Sequence, residues 1–300
     1  MVVVSVIIPT FNRGHLLKKT IDSVLIQTYQ NFEIIIIDDG STDNSEEIVC
    51  GIRDERIKYI KHGKNKGPSA ARNTGIKSAK GKYIAFLDSD VIWLRDKLEK
   101  QVNILNSSTP DVGVVFGGVQ YIDYKTQEYL TQWIIEEDVN EKIFNSLGCA
   151  PDTPTMLVKK EALIDVGLFD ERIPAHEETE LGIRLAKKYK FIPINECLII
   201  STMNHEQISR NKDSFIIGKE FIYEKHKDVL TKDFSYDLCN IIAGDCIYKG
   251  NFRKGKLYLI KALKIKPYKI KTIISLLLCI TVPRLDKYFY NVKYKFLYEK

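Results

Sequence analysis

The 300-residue sequence has no pair of cysteines at Cys-x-x-Cys spacing. Its six cysteines (Cys50, Cys149, Cys197, Cys239, Cys246 and Cys279) lie scattered, which argues against a zinc site and against a disulfide framework. Long hydrophobic runs are missing as well. The longest, Ile273 to Val282, is about ten residues, far short of the ~20 that a spanning helix needs. No basic segment or small-residue cleavage site accompanies the opening Met1–Ile8, so no secretory signal is expected and a soluble, cytoplasmic protein is. Neither GxxxxGK[ST] nor a GxGxxG after the first strand is present, which removes the main support for ATPase, kinase-like and dinucleotide-binding readings. With 17 Gly, 9 Pro, 44% hydrophobic and 28% charged residues, disordered, collagenous and low-complexity classes are excluded as well. At roughly 100–200 residues per domain, the length suits one large domain, or one domain with an appendage.

Charge is unevenly placed. The net charge is +6, yet residues 211–300 carry 19 Lys+Arg against 9 Asp+Glu, and Lys249–Lys271 holds nine basic residues and no acidic one. No RNA- or DNA-binding motif accompanies this charge, so nucleic acid is not the expected partner. The basic stretch runs into the apolar segment Ile273–Leu278. Two readings of it stand: peripheral contact with an anionic membrane surface, or a basic helical appendage packed on the main domain.

The first hundred residues alternate between two periods. Val3–Ile8, broken only by Ser5, and Ile34–Asp38 are short β-branched runs, the pattern of parallel strands buried on both faces. Between them Leu17, Ile21, Val24, Leu25 and Thr28 fall on one helical face. Asp43 with Glu46 predicts a capping box for a helix over 45–50. A strand over 57–60, a helix over 69–79, a strand over 82–87 and a helix carrying Leu94, Leu98, Val102 and Leu105 follow. Such alternation predicts an α/β fold with a mostly parallel sheet, whose ligands sit beyond the carboxyl ends of the strands. Those ends are Pro9–Arg13, Asp38–Asp43 and Asp88–Asp90, which together aim five carboxylates at one crevice. Clustered carboxylates repel unless a cation joins them, and oxygen ligands suit Mg²⁺ or Mn²⁺ held with substrate phosphates. The crevice suits a nucleotide diphosphate.

The ordered set Val4–Arg13, Ser23–Tyr29, Ile37–Asp43, Gly67–Gly75, Tyr83–Asp90, Val166–Glu171 and Glu177–Leu181 closely resembles glycosyltransferase family 2, in the manner of bacterial glycan-synthesis members. The resemblance covers roughly residues 3–210. It implies a type A glycosyltransferase fold in residues 1–210, with a nucleotide-binding half over about 1–110 and an acceptor half over about 111–210. Residues 211–300 form a C-terminal helical appendage, in which Lys254–Pro267 looks like one helix of a tetratricopeptide hairpin.

By that resemblance Pro9, Thr10, Phe11 and Arg13 wrap the base and ribose, and Asp39 accepts from a base ring N–H. That donor fits uracil better than cytosine. Asp38 is read as a turn residue. Arg72 lies near the phosphates by the family pattern, or on the helix surface by its own sequence context. Asp88, with Ser89 beside it, faces ribose and metal, and Asp90 coordinates the metal directly. The general base is Glu178, where family members commonly have Asp, with Glu177 and Glu180 as fallback bases; the competing reading is a merely acidic helix start. His205 resembles a family histidine that closes over diphosphate and metal, against an ordinary loop histidine, and His176 is open in the same way. The expected activity is an inverting, divalent-metal-dependent transfer from a UDP-sugar to a glycan or lipid-linked acceptor, at the inner face of the cell membrane. Its rivals are a sugar nucleotidyltransferase and a non-catalytic sugar-nucleotide-binding module.

Overall fold

The computed structural model describes residues 2–123, 125–134, 139–203 and 212–281. Val4–Thr10 (β1) and Phe32–Asp38 (β2) pair in parallel, and their runs of valine and isoleucine are shut away from solvent on both faces. That burial is why these strands lack polar alternation. Gly14–Leu25 (α1) crosses between them and buries Leu17, Ile21 and Val24. Its last turn comes three residues earlier than the apolar spacing predicts, because Gln27 is used otherwise. The Gln27 amide donates to the Leu94 carbonyl (2.8 Å) and accepts from the Leu98 N–H (3.0 Å), pinning a later helix.

Ser45–Cys50 (α2) lies where expected, but the capping box does not form. Asp43 instead accepts from Ser45 N (3.1 Å) and from Gly14 N (3.0 Å), and so serves the starts of two helices at once. Ile57–Lys61 (β3), Pro68–Ser78 (α3) and Tyr83–Phe86 (β4) complete a parallel half ordered β3-β2-β1-β4. Val91–Trp93 (β5), too short to show a period, precedes Lys97–Ser107 (α4). Val112–Asp123 (β6), Tyr129–Trp133 (β7), Val139–Ile143 (α5), Met156–Lys159 (β8), Lys160–Asp165 (α6), Glu177–Ala186 (α7) and Lys190–Met203 (β9) follow. Beyond β4 the sheet continues β8-β6-β9-β5, mixed in direction, with β6 and β9 parallel and β7 paired to β6.

The described residues fall into two compact units. The first holds those within Met1–Ile143, Gly148–Arg172 and Glu177–Ile208. The second holds those within Phe144–Leu147, Ile173–His176 and Ser209–Lys300. In the second unit Lys212–His226 (α8), Lys232–Tyr248 (α9), Phe252–Ile265 (α10) and Ile270–Thr281 (α11) follow one another, with α9 and α10 joined through Gly250 at φ +81°. Asn251 caps α10 by accepting from Lys254 N (3.2 Å), and Pro267 follows its end.

Part of the basic run is paired within this unit. Lys254 pairs with Glu220 (2.7 Å), Lys261 with Glu224 (2.5 Å), Lys249 with Asp213 and Lys266 with Asp233. Four of the nine basic groups are thereby neutralised by acids of α8 and α9. The apolar residues Ile270, Ile274, Leu277 and Ile280 of α11 are exposed. Among the described residues no helix is long and apolar enough to cross a membrane.

Gly75 of α3 faces β1 so closely that a Cβ there would overlap the Ile7 side chain. Gly75→Ala should therefore cost about 1–3 kcal/mol through overpacking, read as a lower urea midpoint. An unchanged midpoint would mean that α3 can lift off β1 without loss.

Candidate active site

The loops after β1 and β2 are laced together by their own polar groups. Asp39 N donates to the Thr10 carbonyl (2.8 Å), Asn12 N to Ser41 Oγ (2.9 Å) and Thr42 N to Asn12 Oδ1 (2.8 Å). Asn12 adopts φ +52°, a conformation that asparagine tolerates. The lacing leaves Phe11 41% exposed, while the buried Thr10 Oγ1 makes no hydrogen bond. Pro9 is half-buried.

Asp38 is a turn residue, its Oδ1 accepting from Ser41 N (2.6 Å) and its Oδ2 from the Tyr59 hydroxyl. Burial, and then the Asp38 carboxylate, push Tyr59 up from the ordinary phenol range. Asp39, expected to accept from a base, is only 4% exposed. Its carboxylate already meets His62 Nδ1 (2.7 Å), Lys66 N (3.0 Å) and Gly67 N (2.7 Å). These three donors fill most of its roughly four lone-pair directions and leave room for one further donor.

Beyond β4, the Ser89 carbonyl is fixed by Thr20 Oγ1 (2.9 Å), and Asp88 and Asp90 flank it with side chains about one-third exposed. Arg72, on α3, is 5% exposed and so is not a surface arginine. It donates to Asp88 Oδ1 and to Glu177 Oε1, both at 2.9 Å. Burial opposes the guanidinium charge, but the two carboxylates outweigh it and hold the group protonated. Asn73, its neighbour, donates to the Phe169 carbonyl (3.0 Å) and accepts from Phe169 N (3.0 Å), tying the Phe169–Glu171 segment to α3.

The three glutamates opening α7 separate by environment. Glu180 is 0% exposed and locked to Arg184 (2.6 Å), whose guanidinium also bonds the Val166 carbonyl, so it holds the fold together and is removed as a fallback base. Glu177 is occupied by Arg72. Glu178 has no ion-pair partner within 4 Å among the described residues, and its carboxyl is pushed up to about 8 by burial, then by Glu177 and Asp152, against the pull of Arg72.

Asp152, which carries no sequence motif, joins this group. It is exposed to solvent yet crowded, and desolvation followed by the charge of Asp88 raises its carboxyl. No local pattern marks it, since it reaches the others only through the β8 return to β4.

A divalent cation fits this donor set. Desolvation, then Asp88, raise the carboxyl of Asp90, and its ion-pair partner among the described residues is Arg13, 3.8 Å away. Among the described residues no three protein ligands converge to hold a metal alone. Mg²⁺ and Mn²⁺ ordinarily take one or two carboxylates and complete their shell with phosphate and water. Asp90 and Asp88 are the residues that would hold the ion; His205 lies outside the described residues.

Residues 5–167 match the model of Glycosyl transferase family 2. The chain belongs to that family. It is 40% identical over 189 residues to an uncharacterized glycosyltransferase of Rickettsia felis, an alignment covering 62% of this chain and 30% of the relative. The chain thus spans under a third of that relative's length. Over 120 residues it is 41% identical to the UDP-Glc:alpha-D-GlcNAc-diphosphoundecaprenol beta-1,3-glucosyltransferase WfgD of Escherichia coli, covering 40% of this chain and 47% of that protein. Among solved structures, S. aureus TarS 1-349 in complex with UDP-GlcNAc superposes with a TM-score of 0.68 at 17% identity, covering 98% of this chain and 91% of that one. The mannosyltransferase PcManGT of Pyrobaculum calidifontis, in complex with GDP-Man and Mn²⁺, gives 0.57 at 17% identity, covering 99% and 87%. At such identity these likenesses show the fold alone: a type A glycosyltransferase α/β domain followed by helices.

Because the folded Glu178 carboxyl sits near 8, the native state keeps a proton that the unfolded chain releases near pH 4.5. Stability must therefore fall as pH rises between those values. Glu178→Gln has no proton to lose. Its unfolding free energy should be close to wild type near pH 5 and exceed it by pH 8, by about 1–2 kcal/mol after allowing for partial exposure, read from urea melts at each pH. A difference independent of pH would show that Glu178 titrates as an ordinary carboxylate.

Proposed function

We propose that this chain is a metal-assisted, inverting glycosyltransferase that moves a sugar from a UDP-sugar to a lipid-linked glycan acceptor. The observation that carries the reading is the Arg72 bridge. It joins the Asp88–Asp90 loop to the opening of α7, so that a diphosphate-side carboxylate pair and a protonatable glutamate belong to one cluster. The donor nucleotide and the class of acceptor are suggested by WfgD, whose name gives UDP-Glc and a diphosphoundecaprenol-linked sugar, and by TarS with its bound UDP-GlcNAc.

In this reading Pro9, Thr10, Phe11 and Arg13 cradle the nucleoside, with the Phe11 ring as a platform and the unpaired Thr10 hydroxyl as a ligand. Asp39 acts from behind, holding the 62–67 loop against the base. Asp88 and Ser89 face the ribose, and Asp90 with Asp88 holds the cation. A bound divalent ion supplies charge neutralisation to the departing diphosphate. Arg72 holds Asp88 and Glu177 in position. Glu178 takes the proton from the acceptor hydroxyl as that oxygen attacks the anomeric carbon opposite the leaving group, and a single displacement inverts the centre. A carboxyl poised near neutrality is well matched to that transfer.

The test is turnover of UDP-sugars on a synthetic GlcNAc-diphosphoryl-lipid with Mn²⁺, following UDP release and the anomeric configuration of the product. Glu178→Gln should lower kcat by 10²–10⁴-fold, the usual worth of a general base, while keeping donor binding. Unchanged turnover in that variant would remove Glu178 from the chemistry. Pyrophosphate release from nucleoside triphosphate and sugar phosphate would favour the nucleotidyltransferase alternative. No turnover on any donor would favour the binding-module alternative.

Ligand-induced stabilisation tests the metal separately. UDP at about 100 times its Kd adds about 2.7 kcal/mol, a rise on the order of 5–10 °C for a domain of this size. Asp90→Asn should abolish the manganese-dependent part of that rise and leave the unliganded protein folded. A manganese effect that survives the substitution would move the metal away from Asp90.

A further inference from the structure

The helical unit contains a cleft of about 360 Å³ formed by Tyr223 of α8, Lys227 and Leu230 of the following turn, Lys232 and Ser235 of α9, and Lys264 and Ile265 of α10. Three lysines therefore line the cleft around the start of α9. Neither Lys232 nor Lys264 has an acidic partner among the described residues, and Lys227 is 3.4 Å from Glu224. The acids that could quench the site are engaged elsewhere, since Glu224 also binds Lys261 at 2.5 Å and Asp233 binds Lys266.

A second observation points to a ligand. Ser235 is 5% exposed, lines the cleft, and its Oγ makes no hydrogen bond. A buried hydroxyl without a partner costs on the order of 1–3 kcal/mol, and nothing in the unit offsets that cost. The 17-residue helix α9 also directs its positive end here. Thr231 caps Phe234 N (3.2 Å), and the first-turn amides of Lys232 and Asp233 have no helical carbonyl to reach. The opposite walls, Leu230 and Ile265, are apolar.

We propose that this cleft binds a phosphate ester. Its anionic oxygens are met by Lys232, Lys264 and the Ser235 hydroxyl, and its organic part lies against Leu230 and Ile265. The shape is too large for a bare phosphate and the walls too apolar for a purely ionic ligand. A soluble phosphate monoester and a phospholipid headgroup share this chemistry. The cleft shares no residue with the carboxylate cluster, and the proposal does not rest on the proposed transfer reaction.

The full chain is titrated with glycerol 3-phosphate by calorimetry, and with phosphatidylcholine vesicles carrying or lacking phosphatidylglycerol by sedimentation. Lys232→Ala and Lys264→Ala should each weaken binding about ten-fold, the usual worth of a charge-assisted hydrogen bond, whereas Lys256→Ala, an exposed lysine of α10 that does not line the cleft, should not. Ser235→Ala should weaken binding several-fold while matching or exceeding wild-type melting temperature without ligand, which separates lost recognition from lost folding. Cleft-dependent binding of the soluble ester identifies a monoester site, and cleft-dependent binding of phosphatidylglycerol vesicles alone identifies a headgroup site. No binding in either arm, or equal weakening by Lys256→Ala, overturns the proposal. Glu178→Gln should bind both probes as wild type does, so failure here and failure of the transferase reading are told apart.

Discussion

Arg72 carries the one interaction without which the carboxylate cluster could not assemble. Asp88, Asp90, Asp152, Glu177 and Glu178 come from three separated stretches of chain, and each raises the energy of the others' ionised forms. A buried guanidinium placed between Asp88 and Glu177 gives two of them a bidentate-capable partner and leaves the other three under-compensated. A lysine could not do the same, since its point charge cannot reach two carboxylates in fixed planar directions. The fold must therefore bring α3, the end of β4 and the start of α7 within one side-chain length. The Gly75–Ile7 approach and the Asn73 clamp on Phe169 are how it does so.

The imbalance that remains is informative about chemistry. Pure structural ion pairs tend to be closed and neutral, as Arg184–Glu180 is here, with the carboxylate fully buried and the guanidinium also bonded to a carbonyl. The Asp90 and Glu178 side of the cluster is left under-compensated instead, with carboxyls displaced upward despite Arg13 beside Asp90 and the pull of Arg72 on Glu178. Two glutamates two positions apart on one helix thus have opposite fates, set by whether a cation packs against them. Perturbed carboxyls gathered around uncompensated charge mark a candidate functional site.

Much of this was legible before any coordinates. The parallel half, β1 to β4 with its helices, follows from β-branched runs and amphipathic spacing, and the family and its fold follow from seven motifs in order. What was not legible depended on partners distant in sequence. The three-residue β5 exists because β9, a hundred residues on, pairs with it. Asp152 has no local pattern and acquires its role from the return of β8 alongside β4. Asp43 looked like half of a capping box and turned out to cap α1 through Gly14, thirty residues upstream. The choice among Glu177, Glu178 and Glu180 required knowing where Arg72 and Arg184 lie, and spacing on a helix alone cannot supply that.

The C-terminal residues illustrate the same limit for charge. Counted along the chain, Lys249–Lys271 is an unbroken basic stretch beside an apolar one, the pattern of a membrane-surface helix. In three dimensions its lysines at 249, 254, 261 and 266 reach across to acids 33 to 37 residues away, which neutralises much of the stretch inside the helical unit. Charge density in sequence therefore overstates the field at the surface, since the effective quantity is what remains after pairing. Lys232 contributed nothing to the basic stretch, and Lys264 was one of nine in it. Both remain unpaired among the described residues, at a helix start with a buried hydroxyl beside them. An anion would be drawn to that local residue of charge more strongly than to the longer run that dominates the sequence.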